Sequence, residues 1–157
     1  MQKITTFLWF DKEAEEAMNF YISIFKNSKA LKISRYGEAG PGAKGTVMTA
    51  LFELEGQQFY ALNGGPHFRF NEAISLYVDC ETQAEVDDLW QKLSAGGKES
   101  QCGWLEDKYG LSWQIIPRAL GEMLQDEDPK KSARIMQAML QMKKIDIRGL
   151  KNAYEEA

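Results

Sequence analysis

The sequence is poor in the residues that build covalent or metal frameworks. Its 157 residues hold two cysteines, Cys80 and Cys102, and one histidine, His67. Two thiols are too few for a disulfide scaffold, so reduced cysteines in a cytoplasmic protein are expected. Positive charge is scarce as well. Nineteen Lys and Arg face 23 Asp and Glu, for a net charge of −4 and a pI near 5.1. No basic stripe is on offer to neutralise phosphates, which argues against nucleic acid as a partner. No apolar run approaches the roughly 20 residues that span a bilayer, so no membrane partner is expected. The first residues read as a strand and show no charged-then-apolar signal region, so export is not expected. What is there is ordinary for a globular protein, 44% hydrophobic and 27% charged. That length suits one domain, or two small halves sharing a core.

The most informative stretch is 101–117, QCGWLEDKYGLSWQIIP. It predicts a strand at 101–105, a turn on Asp107, Lys108, Tyr109 and Gly110, and a second strand at 111–116 stopped by Pro117. Alternation along that second strand puts Ser112, Gln114 and Ile116 on one face and Leu111, Trp113 and Ile115 on the other. Gln114 is therefore a polar amide on a mostly apolar strand.

From the start, 3–10 (KITTFLWF) reads as a strand and Asp11 as the N-cap of a helix at 13–25, with Ala17, Phe20, Tyr21 and Ile24 inward. Strands follow at 29–36, 45–55 and 57–63; a glycine-rich loop, 37–45, separates the first two and Gly56 the last two. The order then recurs. Residues 73–80 form a strand, and 82–95 a helix with Val86, Leu89, Trp90 and Leu93 inward, ended by Gly96 and Gly97. The inward helical sets match at a constant offset of 69, and the strands at 68. This is an internal repeat of strand, helix and hairpin strands.

Two such half-barrels side by side would share a concave groove, with helices on the convex side. Thr6, Leu8 and Phe10, and in the repeat Ile74, Leu76 and Val78, belong under the helices. Thr5, Phe7 and Trp9, with Ala73, Ser75, Tyr77 and Gln114, are then left to line the groove.

Past Arg118 the strand signal ends and methionines dominate the apolar positions. Pro129 sits in the first turn of a helix after the DEDP break at 126–129, and a short helix is expected at 146–156. This tail either covers the chain's own sheet or packs on a partner subunit; a homodimer is the expectation.

FLWFDKEAEEAMNFY, GGPHFRFNEAISLYV and CGWLEDKYGLSWQIIP, with MQAMLQMKKIDI in the tail, resemble the vicinal oxygen chelate (glyoxalase/bleomycin resistance/dioxygenase) superfamily, and within it the PhnB-like branch. The resemblance covers essentially the whole chain. It implies an α+β fold: two βαβββ-type modules (1–70 and 71–117) making one cup-shaped mixed sheet, plus a helical extension at 118–157. Members of this branch often carry the label demethylubiquinone methyltransferase. The strand, Gly-rich turn and helix that would hold S-adenosylmethionine have no counterpart in this sequence.

In the superfamily's metalloenzymes, His and Glu residues from paired strands hold a divalent metal in the groove. The resemblance places those positions on Thr5 or Thr6, on Ala73, on Gln114, and in the 57–63 strand, where Ala61 and Asn63 stand. Hydroxyl, methyl and carboxamide groups are poor ligands for Zn²⁺ or Fe²⁺. No metal is expected in the usual site, and no other cofactor.

The remaining candidates each carry a plain alternative. His67 could act as a general base, or simply be a packed or solvated loop histidine. Cys102, at the start of its expected strand, reads as a small buried hydrophobe. Phe7, Trp9, Tyr77 and Trp104 could bind a flat or apolar ligand, or fill the groove themselves. Asn63 with Gly64 and Gly65 could present backbone donors to an anion, or form a turn. Two functions follow. One is a groove that binds a small organic molecule without catalysis. The other is an enzyme of the superfamily (lyase, isomerase or dioxygenase type) acting on a small oxygenated substrate through His67, Gln114 and a metal on residues such as Glu72.

Overall fold

The computed structural model describes residues 2–156. Its internal contacts separate it into two units, divided in the chain between Phe70 and Asn71. The first unit holds β1 (Thr6–Phe10), α1 (Ala14–Ile24), β2 (Lys29–Arg35), β3 (Val47–Leu54) and β4 (Gln57–Asn63). The second repeats that order with β5 (Ser75–Cys80), α2 (Gln83–Ser94), β6 (Lys98–Glu99), β7 (Trp104–Glu106) and β8 (Ser112–Pro117), then adds α3 (Arg118–Leu124), α4 (Pro129–Leu140) and α5 (Ile147–Glu155). The fold is α+β, two βαβββ units with a helical tail.

The sheets have one wiring: β1-β4-β3-β2 in the first unit and β5-β8-β7-β6 in the second. In each, the first strand runs parallel to the last and every other pairing is antiparallel. The repeat read from the sequence is a repeat of structure, but its register needs correction. The buried pair Leu8 and Phe10 corresponds to Val78 and Cys80, because Cys80, not Val78, is the fully buried residue at the end of β5. Phe7 therefore matches Tyr77, and Thr5 matches Ser75. Ile74, expected in the core, is 71% exposed. It lies with Ala73 in a turn ahead of β5, where the Asn71 side chain accepts the Ala73 N–H at 2.9 Å and delays the strand.

α1 differs from expectation in two ways. Its buried stripe is Ala14, Ala17, Met18 and Tyr21, with Phe20 and Ile24 at the margins. Small side chains at 14 and 17 let the helix axis approach the sheet, and that closeness decides the face. Asp11 is not the cap: Glu13 occupies that position without a side-chain bond, and Asn63, at the end of β4, accepts the Ala14 N–H at 2.8 Å. α2 follows its sequence pattern. Val86, Leu89, Trp90 and Leu93 are buried, and the Thr82 hydroxyl accepts the Glu85 N–H.

The expected strand at 101–105 is broken. Cys102 (φ 60°) and Gly103 (φ 84°) form a turn between β6 and β7. That turn receives the tail: its two N–H groups donate to the carbonyls of Met142 and Lys143, each at 2.8 Å. A Cβ on Gly103 would stand 2.6 Å from Ile116 Cδ1 and 3.1 Å from Ile145 Cγ1, so only glycine allows this approach. Gln83 adds a second fastening, donating to the Ile145 carbonyl at 3.0 Å and accepting from the Ile147 N–H at 2.7 Å. Ile116, Leu120, Ile135, Ile145 and Leu150 form the buried seam. The tail covers its own chain's second unit. Pro129 opens α4 under an Asp128 cap, as its spacing predicts.

Candidate functional site

In the second unit, alternation along β5, β7 and β8 divides the sheet into two faces. Leu76, Val78, Cys80, Leu105, Trp113 and Ile115 lie on the α2 side. On the other face three candidates stand in one row. Tyr77 pairs in register with Gln114, and Gln114 with Trp104, so the amide is flanked by an aromatic residue on each neighbouring strand. One step along β5, Ser75 accepts a hydrogen bond from Gln114 Nε2 at 2.9 Å. Tyr77 is 57% exposed, while Ser75, Trp104 and Gln114 are half-buried. Burial, then Asp79 and Cys80, raises the Tyr77 phenol above its ordinary range, so at neutral pH it remains an O–H donor. One pleat beyond Gln114, Ile116 passes beneath the tail. There Arg118 donates to Asp79 at 2.8 Å and stands 3.5 Å from Glu81.

The hairpin carrying Gln114 is held by a residue that composition alone does not single out. Asp107 is 2% exposed, and its Oδ1 accepts the N–H groups of Tyr109 (2.9 Å) and Leu111 (3.1 Å). Its Oδ2 accepts Trp113 Nε1–H at 2.9 Å. The turn, the strand start and the buried indole are thereby fixed by one carboxylate. Gly110 closes the turn at φ 89°, four residues before Gln114; Gly56 does the same at φ 82°, four before Tyr60. Tyr60 is thus the first unit's counterpart of Gln114, where the sequence pointed instead to Ala61 and Asn63. The spacing from the turn glycine is the signal that finds it.

In the first unit Phe7 pairs with Tyr60, ring centroids 5.3 Å apart, and is 54% exposed. Trp9 donates through Nε1 to the Gly65 carbonyl at 2.9 Å and meets Phe68 edge-on at 4.8 Å and His67 at 6.5 Å. Its ring covers Gly64, where any Cβ would fall 2.4 Å from Cζ2. Trp9 is therefore a packed half of this cluster, and His67 is its exposed rim. Thr5 lies just ahead of β1, half-buried. Asn63 is spent on structure: besides accepting the Ala14 N–H, it donates to the Val47 carbonyl at 3.1 Å, and its own carbonyl takes the Tyr36 hydroxyl. The Gly64 and Gly65 N–H groups donate to Phe10 and Asp11, so this turn staples two strand ends and is not an anion cradle. Cys102 lies in the tail-bearing turn, not in a strand.

Matching the two units sets Thr5 against Ser75 and Tyr60 against Gln114. Within each unit, a hydroxyl with a phenol or a carboxamide is a poor ligand set for a transition metal, which asks for imidazole, carboxylate or thiolate. Among the described residues, no three His, Cys, Asp or Glu side chains gather as a metal set would. No helix among the described residues is long and apolar enough to cross a membrane.

Paired βαβββ units with this wiring define a protein of the vicinal oxygen chelate fold. The chain belongs to the family described as 3-demethylubiquinone-9 3-methyltransferase, whose model matches residues 2–116. Among solved structures it is similar to the PhnB protein of Bacillus cereus, at 48% identity and a TM-score of 0.68 over 74% of this chain and 99% of that one. Protein PA1353 of Pseudomonas aeruginosa shares the fold at 18% identity and a TM-score of 0.63, over 74% and 98% of the two chains. So does the fosfomycin resistance protein FosX of Listeria monocytogenes, complexed with Mn(II) and sulfate, at 17% identity and 0.51 over 72% and 90%. No curated protein sequence matches. The family model stops at Ile116, so the tail's likeness to the PhnB-like branch rests on its sequence alone.

Proposed function

We propose that this protein binds a small organic molecule on the aromatic and amide faces of its sheets, without the superfamily's metal. The observation that carries this reading is the bond from Gln114 to Ser75. A neutral amide, at the position where the resemblance calls for an acid, is tied to a neutral hydroxyl, which takes the imidazole position from Ala73 once the register of the repeat is corrected. Thr5 and Tyr60, their counterparts, support the same reading. Exposed Phe7 and Tyr77 supply apolar contact area of the kind ligand sites use. The strand-to-helix turns do not suit the S-adenosylmethionine that methyl transfer would need. The turns from strand to helix, residues 11–13 and 81–82, are Asp-Lys-Glu and Glu-Thr. They have no glycine to let a cofactor near, and acid stands where a phosphate or carboxylate would have to sit. A second copy of the chain completes the proposed assembly, and light scattering should give twice the 17.9 kDa chain mass.

The test is metal analysis of the purified protein, with thermal shift measured in Zn²⁺, Mn²⁺, Fe²⁺ and Ni²⁺. The expected result is no stoichiometric metal and no stabilisation specific to one ion. A bound metal that Gln114→Ala releases would sink this reading in favour of a metalloenzyme acting on an oxygenated substrate.

A further inference from the structure

We infer that the row Tyr77–Gln114–Trp104 is a slot for a flat nitrogen heteroaromatic, uncharged or cationic, whose edge N–H donates to the Gln114 amide oxygen. The inference rests on the small-molecule reading above and adds the chemical class of the ligand. Neighbouring strands lie about 4.8 Å apart, so the Tyr77 and Trp104 backbones stand roughly 10 Å apart with Gln114 midway. A planar ring standing over Gln114 can meet an aromatic face on either side, at about the 4.5–7 Å spacing that aromatic pairs favour.

The amide's orientation sets the polarity of the floor. One N–H of Nε2 is engaged by Ser75, which turns Oε1 to the other side of the amide as the acceptor that a ligand N–H would meet. The charges around the row come in opposed pairs, which gives an anion little to hold. Arg118, the cation at the tail end of this face, is already matched by Asp79 and Glu81. On the other flank, Glu106 shares the Trp104 side of β7 and stands in register with Lys98 of β6, so the two charges there offset each other. Tyrosine and tryptophan faces attract cations as well as neutral rings. A carboxylate or phosphate ligand would gain no ion pair from the residues of this row.

The experiment is a fluorescence titration with two flat probes of opposite charge. Proflavine is a planar cation with amino donors, and anthracene-9-carboxylate is a planar anion. Proflavine should bind saturably and the anthracene carboxylate at least tenfold more weakly. Tyr77→Ala and Trp104→Ala should each weaken proflavine roughly three- to tenfold, and Gln114→Leu by a similar factor. Tyr77→Phe, which keeps the ring, should stay within twofold. Tyr77 is exposed, so its substitution leaves the fold intact, and circular dichroism checks each variant. Absence of proflavine binding, preference for the anion, or indifference to both Tyr77→Ala and Trp104→Ala would overturn the slot. None of those results bears on metal content, so the metal-free reading stands or falls separately on its own assay.

Discussion

Asn63 and Asp107 are side chains whose work is almost entirely architectural, and each can be tested alone. Asn63 joins β4 to the start of α1 and to β3. Asn63→Ala removes both bonds and leaves a helix N–H and a strand carbonyl unpaired, at a cost of about 1–3 kcal/mol. Urea unfolding should show a lower midpoint with the slope unchanged. Asp107→Asn is nearly isosteric but sets an N–H₂ against an N–H donor, since Tyr109, Leu111 and Trp113 all donate to the carboxylate. The expected loss is about 1.5–3 kcal/mol, with a change in Trp113 emission as the indole loses its acceptor. Asp107 reads from sequence as a turn residue but not as the acceptor of the buried Trp113 indole, and the role of Asn63 is not legible at all. Asn63 sits beside Gly-Gly and reads locally as a turn residue, while its partners lie 49 and 16 positions away.

Elements are legible where their reason is local. α2 follows strict helical spacing with a Thr82 cap, and its inward set reads directly from the residues. The buried face of α1 is hidden because hydrophobicity favours Phe20 and Ile24, while close approach to the sheet favours Ala14 and Ala17. β5 begins two residues later than its pattern suggests: Ala73 and Ile74 look like strand, yet the Asn71 side chain holds them in a turn. The break at Cys102 and Gly103 has a cause some forty residues downstream, the backbone of 142–143. Gly103→Ala should therefore act on the tail and not on the hairpin alone. A Cβ at a positive φ, pressed on Ile116 and Ile145, should cost about 2–4 kcal/mol. Limited proteolysis should then cut near 141–146 before any site within the sheets. Equal protection in variant and parent would show that the turn is not what holds the tail.

For the molecule as a whole, the two-unit plan and the shared strand order are readable, because repeated apolar patterns report repeated cores. Of the candidate residues, Ser75, Tyr77, Trp104 and Gln114 do come together on one face. Asn63 leaves the set for a structural role, and Tyr60 enters it. Stability at high pH has a marker in the core. Burial first, then Glu85 and Asp79, pushes the Cys80 thiol up to about 12 from an ordinary 9.0. Between those values the unfolded chain gives up the proton that the folded chain keeps, so stability falls as pH rises through that window. Cys80→Ser should flatten the fall, as read from chemical denaturation at pH 8 and pH 11. At pH 8, iodoacetamide should modify half-buried Cys102 ahead of Cys80.

Because the opening strand of each unit is parallel to its closing strand, neither can be zipped up as a growing chain emerges. Thr6 must wait for Phe59, and Ser75 for Ser112. A nascent copy paused by the ribosome before Leu111 would thus hold one finished sheet and one lone ribbon still lacking its mate.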